Sequence, residues 1–189
     1  MPEKYKKEQG VKVNPDTIYL NQFIKEAHNG RFKGLNNSKL KEFGKQLNFY
    51  KGILEIFEKT KNRINKITKY KEFDIKVEHY IVSIGIIQII RGSVVNEYVD
   101  GIWGCEFIEN TIDEEGNKVI SEIGYTIDNS TKTRALFEIN KVVNKREDIN
   151  VNSKIDHDLR RIHFENMIYI ADVPSDVPAF SVVKKRWQN

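Results

Sequence analysis

From Ser38 to Thr68 the apolar positions Leu40, Phe43, Leu47, Tyr50, Leu54, Phe57 and Ile64 recur at steps of three and four. That spacing marks one face of an α-helix, and its phase breaks only at Lys61. Phe49, Ile53 and Ile56 widen the stripe, so one side of this helix must be covered by other protein. A helix of this length would be a rod of roughly 45 Å. Gly44 and Gly52 interrupt it, each at a cost of about 1 kcal/mol against Ala. They admit close approach of a second helix, or Gly52 marks a kink.

Upstream, Asn14-Pro15-Asp16 reads as a helix start: Asn caps free amides, Pro fits the first turn, and Asp complements the dipole. Tyr19, Leu20, Phe23, Ile24 and Ala27 then share a face, and Asn29-Gly30 supplies the stop. Downstream, Asp74 to Asp100 is ambiguous. Val77, Tyr80, Ile84, Ile87, Arg91, Val94 and Tyr98 fit a helical face, which predicts a second long helix antiparallel to the first and ended by Gly101. Its β-branched content and the alternation of Phe73, Ile75 and Val77 with charged residues point instead to strand.

The period then falls to two. Trp103, Cys105 and Phe107 alternate with Gly104 and Glu106, and Val119, Ile123, Tyr125 and Ile127 with Glu122, Gly124 and Thr126. The acidic segment Asp113 to Asn117 between them is a hairpin loop. Ala135, Phe137 and Ile139 complete an antiparallel meander, with a short helix as the alternative. A short helix from Ser153 and a strand from Met167 to Ala171 follow. The expected fold class is α+β: two long antiparallel helices plus a short N-terminal helix packed on an antiparallel β-meander. Residues 1–13 form an N-terminal arm, 14–171 a single domain, and 172–189 a C-terminal arm. Both arms are expected to be extended, the second because of Pro174 and Pro178.

Composition narrows the class. A mean hydropathy of −0.55 and 39% hydrophobic residues in 189 suit a folded soluble chain. The N-terminal Met1-Pro2-Glu3-Lys4 lacks a signal peptide's apolar core, and the most apolar run, Tyr80 to Ile90, is shorter than the roughly 20 residues a bilayer demands. With the single cysteine, Cys105, this leads us to expect a cytoplasmic or virion protein, neither secreted nor membrane-bound. Charge is uneven within the net +4: residues 1–71 carry 17 Lys/Arg against 7 Asp/Glu, and residues 72–189 carry 14 against 20. Such a polar molecule suits an anionic partner or head-to-tail stacking of copies.

Signals for chemistry are weak. Asp156 to Glu165 holds His157, His163 and several carboxylates, which could supply metal ligands or an acid–base pair. On a helix the two histidines would stand about 240° apart and not converge. No phosphate-binding glycine loop occurs, and Cys105 reads as a small buried side chain. His28 reads as a partner of a helix dipole, and His79 as a core or rim residue. We therefore expect no catalytic, cofactor or metal residues. The candidate contact residues are Lys59, Lys61, Arg63, Lys66, Lys69 and Lys71, a basic run without an acid, and Phe180, Lys184, Lys185, Arg186 and Trp187 at the C-terminus. Trp187 or Tyr70 would stack on bases if the partner were nucleic acid. The expected function is a non-enzymatic assembly subunit acting through its arms, a homo-oligomer or part of a larger protein assembly. A ring-like or head–tail connector component of a phage virion is one such subunit; the Lys-, Asn- and Ile-rich composition fits a bacterial, phage or mobile-element origin without choosing among them. The alternative is a nucleic-acid-binding or host-regulating accessory protein of a phage or mobile element.

Overall fold

A computed structural model describes residues 2–143, 148–172 and 174–184. The fold mixes helix and strand and divides into two compact units, Met1–Thr126 and Ile127–Asn189.

The first unit opens with helix α1 (Pro2–Gln9), where the sequence suggests an extended arm. Glu3 in its first turn and Lys6 and Lys7 in its last complement the helix dipole. Helix α2 (Pro15–Asn29) starts and stops where expected: the Asn14 side chain accepts from the amides of Asp16 (2.8 Å) and Thr17 (3.3 Å), and Gly30 donates to the Glu26 carbonyl. Leu20 and Ala27 are its buried residues.

The long helix of the sequence reading is two helices. α3 (Asn37–Gly44) is capped by Asn36, and α4 (Ile53–Asn65) begins after Gly52. Gly52 sits at φ +94°, a left-handed conformation that ends any continuous helix there. Gly44 has the other role foreseen for it. A Cβ at Gly44 would lie 2.1 Å from the Ile89 carbonyl oxygen, and one at Gly92 would lie 1.8 Å from that of Lys41. Two backbones touch at this crossing. A short helix α5 (Thr68–Glu72) follows α4.

Segment 74–100 is likewise no long helix. It forms strand β1 (Tyr80–Ile86), helix α6 (Ile87–Gly92) and a 3₁₀ turn at Val94–Glu97. β1 runs parallel to β2 (Gly101–Ile108), pairing Tyr80 with Gly101 and Val82 with Trp103. A parallel pair requires a crossover, and α6 with its turn supplies it. β1 is an edge strand of this sheet, half-buried along most of its length with Ile84 exposed and Ile86 buried. β3 (Thr111–Ile112) and β4 (Lys118–Val119) make the expected hairpin. β5 (Glu122–Tyr125) pairs antiparallel to the far edge of β2. The sheet is therefore mixed, β1-β2-β5, and not a meander. Trp103, Cys105 and Phe107 are buried, with Leu20, Leu40, Ile86, Ile87 and Ile120 among their fellow core residues. The Ile120 amide donates to the Leu35 carbonyl, and the imidazole of His28 bonds the Ile120 carbonyl at 3.0 Å, tying the helical layer to the strands.

The second unit is built on α7 (Asn129–Lys141), the helical alternative for residues 135–139. Asp128 and Thr131 cap it reciprocally. Its buried positions Lys132, Ala135, Leu136, Ile139 and Asn140 follow the i, i+3, i+4, i+7, i+8 rule. The helix expected from Ser153 is replaced by 3₁₀ turns at His157–Leu159 and Phe164–Asn166. Residues 167–171 form no strand ladder among the described residues. The presumed extended tail is a 3₁₀ turn (Pro174–Asp176) followed by α8 (Val177–Lys184). Pro178 lies in the first turn of α8, where a missing amide hydrogen costs no helical bond. Ala179 and Val183, one turn apart, are buried.

The α3–α6 crossing makes a quantitative prediction. Gly44→Ala or Gly92→Ala should each lower unfolding free energy by about 3 kcal/mol or more, because backbone and not a flexible side chain must move. Gly116→Ala, with nothing within 4 Å but φ +83°, should cost only about 1 kcal/mol. Urea titration of the three variants measures the contrast.

Candidate interaction surface

The basic run predicted from sequence lies on α4 and α5. No residue of either helix is fully buried. α4 is held by one seam: Phe57 packs edge-on to His79 (5.0 Å) and against Tyr98 (6.0 Å), while Thr60 Oγ1 meets His79 Nε2 at 2.8 Å. Lys61 belongs to that seam, 3.7 Å from Asp100 Oδ2 and donating to the Tyr98 carbonyl. This explains the polar residue in phase with the stripe: Lys61 caps an acidic site. Lys59, Arg63, Lys66, Lys69 and Lys71 are exposed and have no ion-pair partner among the described residues. On the same stretch Ile53, Ile56 and Phe73 are exposed at 41%, 45% and 69%. Tyr70, proposed as a stacking residue, is half-buried.

The C-terminal candidates behave differently. Phe180 packs edge-on to Tyr169 at 5.2 Å, turned onto its own unit. Lys184 is exposed at the end of α8, and Lys185, Arg186 and Trp187 lie outside the described residues.

Sequence reasoning missed the counterpart surface. Around the β3–β4 hairpin, residues 109–122 hold 5 Asp/Glu against 1 Lys/Arg. Glu114 and Glu115 stand exposed on the β3–β4 hairpin beside Ile112, which is 65% exposed. Asp113 is committed to the turn: its carboxylate accepts the amides of Asn117 (2.8 Å) and Glu115 (3.0 Å), and the first of these chiefly holds it below the usual carboxylate range. Tyr98 and Asp100, which hold α4, precede the Gly101 end of β2, and the hairpin leaves from its Ile108 end. Eight residues of strand separate these ends by roughly 23 Å. The basic run of α4–α5 and the hairpin acids therefore belong to opposite ends of β2, and on the hairpin Glu114 is met by Lys33 at 3.5 Å.

Several groupings of side chains resemble chemistry, and their geometry speaks to each. The Thr60–His79 contact is not a nucleophile–base pair. The Thr60 hydroxyl lies 2.8 Å from the Ile56 carbonyl and 3.0 Å from that of Phe57, so its one proton is held by the helix. His79 Nδ1 is buried without a partner, and Asp100 bonds the His79 amide (2.8 Å) rather than the ring. Burial, then the charge of Lys61, keeps this imidazole below its ordinary pKa. Cys105 is fully buried and donates to the Ile84 carbonyl. Two grooves flank α2; one, of about 300 Å³, is lined by Pro2, Pro15, Ile18, Tyr19, Phe23 and Phe32 among others and is almost wholly apolar.

In the second unit Lys132 Nζ meets Asp176 Oδ1 at 2.9 Å and Ser175 Oγ at 3.0 Å, and the Tyr169 hydroxyl donates to the same Asp176 oxygen at 2.5 Å. Side-chain exposures of 5% and 3% make this a buried ion pair. Burial alone would raise the Asp176 pKa, but the bonds from Tyr169 and Lys132 outweigh it and the net direction is down. Tyr169 is pushed up, by burial first and then by Asp176. The trio joins α7 to the turn that starts α8. In the same unit the ring centroids of His157 and His163 are 4.3 Å apart, although helical spacing would have separated them.

The chain is similar to an uncharacterized protein of Borreliella burgdorferi (strain ATCC 35210), 36% identical over 180 residues. The match takes in 90% of this chain and 61% of that protein, so the chain spans about three-fifths of the length of the curated relative it matches. No protein-family model matches. No solved structure matches. No helix among the described residues is long and apolar enough to cross a membrane.

If the Lys132–Asp176 pair is an anchor, its two halves are interdependent. Lys132→Met should destabilise the fold by about 3 kcal/mol, since it strands a buried carboxylate, and adding Asp176→Leu should recover most of that loss. Asp176 has a lowered folded-state pKa, so its contribution is complete above the ordinary carboxylate range and fades as pH falls through the folded value. Denaturant titrations of the single and double variants at neutral pH, and of the wild type in acid, measure both effects.

Proposed function

We propose that the chain is a non-enzymatic assembly subunit whose copies stack head to tail, the α4–α5 end of one against the β3–β4 hairpin of the next. The observation that carries this reading is the exposed basic run of α4–α5, without an ion-pair partner among the described residues, together with exposed Glu114 and Glu115 on the hairpin that leaves the far, Ile108 end of β2. Each end also exposes branched apolar side chains, Ile53 and Ile56 on one and Ile112 on the other. Apolar contact supplies affinity, and charge supplies orientation and rejects the like-charged end. A contact between two different surfaces of identical chains is heterologous: it closes a ring when its rotation permits and otherwise runs on as a filament. A ring-like component of a larger particle is the kind of object such a contact builds. The reading uses α4–α5 as the docking surface; of the C-terminal candidates, Phe180 is engaged within its own unit.

A second reading draws on the same cations. Five exposed basic side chains on α4–α5 without ion partners among the described residues are also what a nucleic-acid backbone would select, with exposed Phe73 better placed to stack than half-buried Tyr70.

Light scattering coupled to size-exclusion chromatography tests assembly. The mass should exceed the 22.1 kDa of one chain, and fall towards it as salt rises from about 50 to about 500 mM. Lys66→Glu/Lys69→Glu/Lys71→Glu should give a monomer, and adding Glu114→Lys/Glu115→Lys to that chain should restore assembly by reversing both ends. A wild-type monomer at every concentration and salt would end this reading. The nucleic-acid reading predicts a log–log salt slope of about −4 to −5 on random duplex, flattened by the same triple charge reversal.

A further inference from the structure

We propose that His157, His163 and Glu165 form a site for a divalent transition-metal ion of the zinc type, with solvent completing the coordination. The inference is independent of the assembly reading. One ligand atom from each of the three residues lies within 4.8 Å of the other two. Two imidazoles and one carboxylate are a donor set suited to zinc, cobalt or nickel in preference to calcium or magnesium, which take oxygen ligands.

The distances suit coordination as well as ion pairing. His163 Nδ1 and Glu165 Oε1 are 3.4 Å apart, at the long end of a hydrogen bond. Two ligands about 2.05 Å from a tetrahedral zinc stand roughly 3.4 Å from each other. The imidazoles are tilted at 59° with centroids 4.3 Å apart, an approach that two protonated rings would resist and a shared cation would reward.

The scaffold holds the donors in place. His163 lies between Ile162, whose carbonyl accepts from Asn140 Nδ2 at 2.6 Å, and Phe164, which is 3% exposed and packs edge-on to Phe137 of α7 at 5.1 Å. Glu165 follows in the Phe164–Asn166 turn, closed by the Asn166 amide on the His163 carbonyl. His157 opens the other turn, closed by the Arg160 amide on its own carbonyl at 3.1 Å. Asp158 Oδ1 faces His157 Nδ1 at 3.3 Å, the outer carboxylate that orients an imidazole and leaves Nε2 for the metal. Side-chain exposures of 48% for His157, 24% for His163 and 48% for Glu165 leave the ion a path from solvent.

Isothermal titration of the untagged full chain with Zn²⁺, and the visible absorption of Co²⁺ added in its place, test the site. One equivalent should bind, and the cobalt spectrum should report tetrahedral or five-coordinate nitrogen and oxygen ligation. His157→Ala, His163→Asn and Glu165→Gln should each weaken zinc by about tenfold or more, and Asp158→Asn by less. His28→Gln should leave affinity unchanged. Circular dichroism of the metal-free proteins checks folding; should His163→Asn fail it, the more exposed His157→Ala and Glu165→Gln decide the matter. Absence of saturable zinc binding by the wild type, or binding that survives loss of His157 and Glu165 together, would overturn the assignment.

Discussion

Where α3 crosses α6, main chain meets main chain. Gly44 touches the Ile89 carbonyl and Gly92 the Lys41 carbonyl, at distances that no Cβ would tolerate. Much of the first unit follows from this contact. α6 is the crossover that allows β1 and β2 to run parallel, so fixing α6 fixes the sheet beneath it. α3 ends at Gly44, at the crossing itself, and the chain takes residues 45–52 to turn away before α4 begins. α4 is left with a seam at His79, Tyr98 and Asp100 in place of a buried face. The exposure of its cations is thus a consequence of packing elsewhere: a continuous helix over 38–68 would have drawn part of the same stripe towards the core.

What could be read from sequence sorts by how local the signal was. The α2 cap and stop, the strand through Trp103 and Phe107, and the acidic hairpin are set by residues within a few positions of each other, and each stands where its pattern placed it. The long helices failed because a stripe of threes and fours is indifferent to a break that conserves its phase. Only the left-handed Gly52 reports that break. Tyr80 to Ile86 failed for another reason: apart from Ser83 its seven residues are apolar or glycine, including the exposed Ile84, so no polar alternation betrays its period. Residues 129–141 hid their helix because two of the five buried positions are Lys132 and Asn140. Their partners, Asp176 and the Ile162 carbonyl, lie 44 and 22 residues away, and nothing local announces them.

The candidate surface was half legible. A basic run without acids is visible in one dimension, and five of its six members are exposed. That Lys61 is spent on Asp100 was not visible, nor was the separation of the run from the hairpin acids by the length of β2. The histidines illustrate the converse. Setting them aside rested on a helical angle, and the angle was correct for a helix that the chain does not form. In 3₁₀ turns pinned through Ile162 and Phe164, six residues bring the two rings together instead of apart.

Burial separates these groups into two kinds of work. The ionisable pair that is fully buried, Lys132 with Asp176, has its polar atoms engaged with each other, Ser175 and Tyr169. A group so satisfied has little left to offer a ligand, and removing one member costs far more than the pair contributes. Lys66, Lys69 and Lys71 are exposed without an ion-pair partner among the described residues, while Glu114, Glu115, His157 and Glu165 are exposed but each has a neighbour, in Lys33, Asn117, Asp158 and His163 respectively. A group that must act on a small substrate needs a dry, shaped cavity to raise its electrostatic leverage, whereas one that acts on a large partner borrows its desolvation from the partner's own surface. The proposed assembly rests on the second pattern, and the exposed cations of α4–α5 are its physical ground.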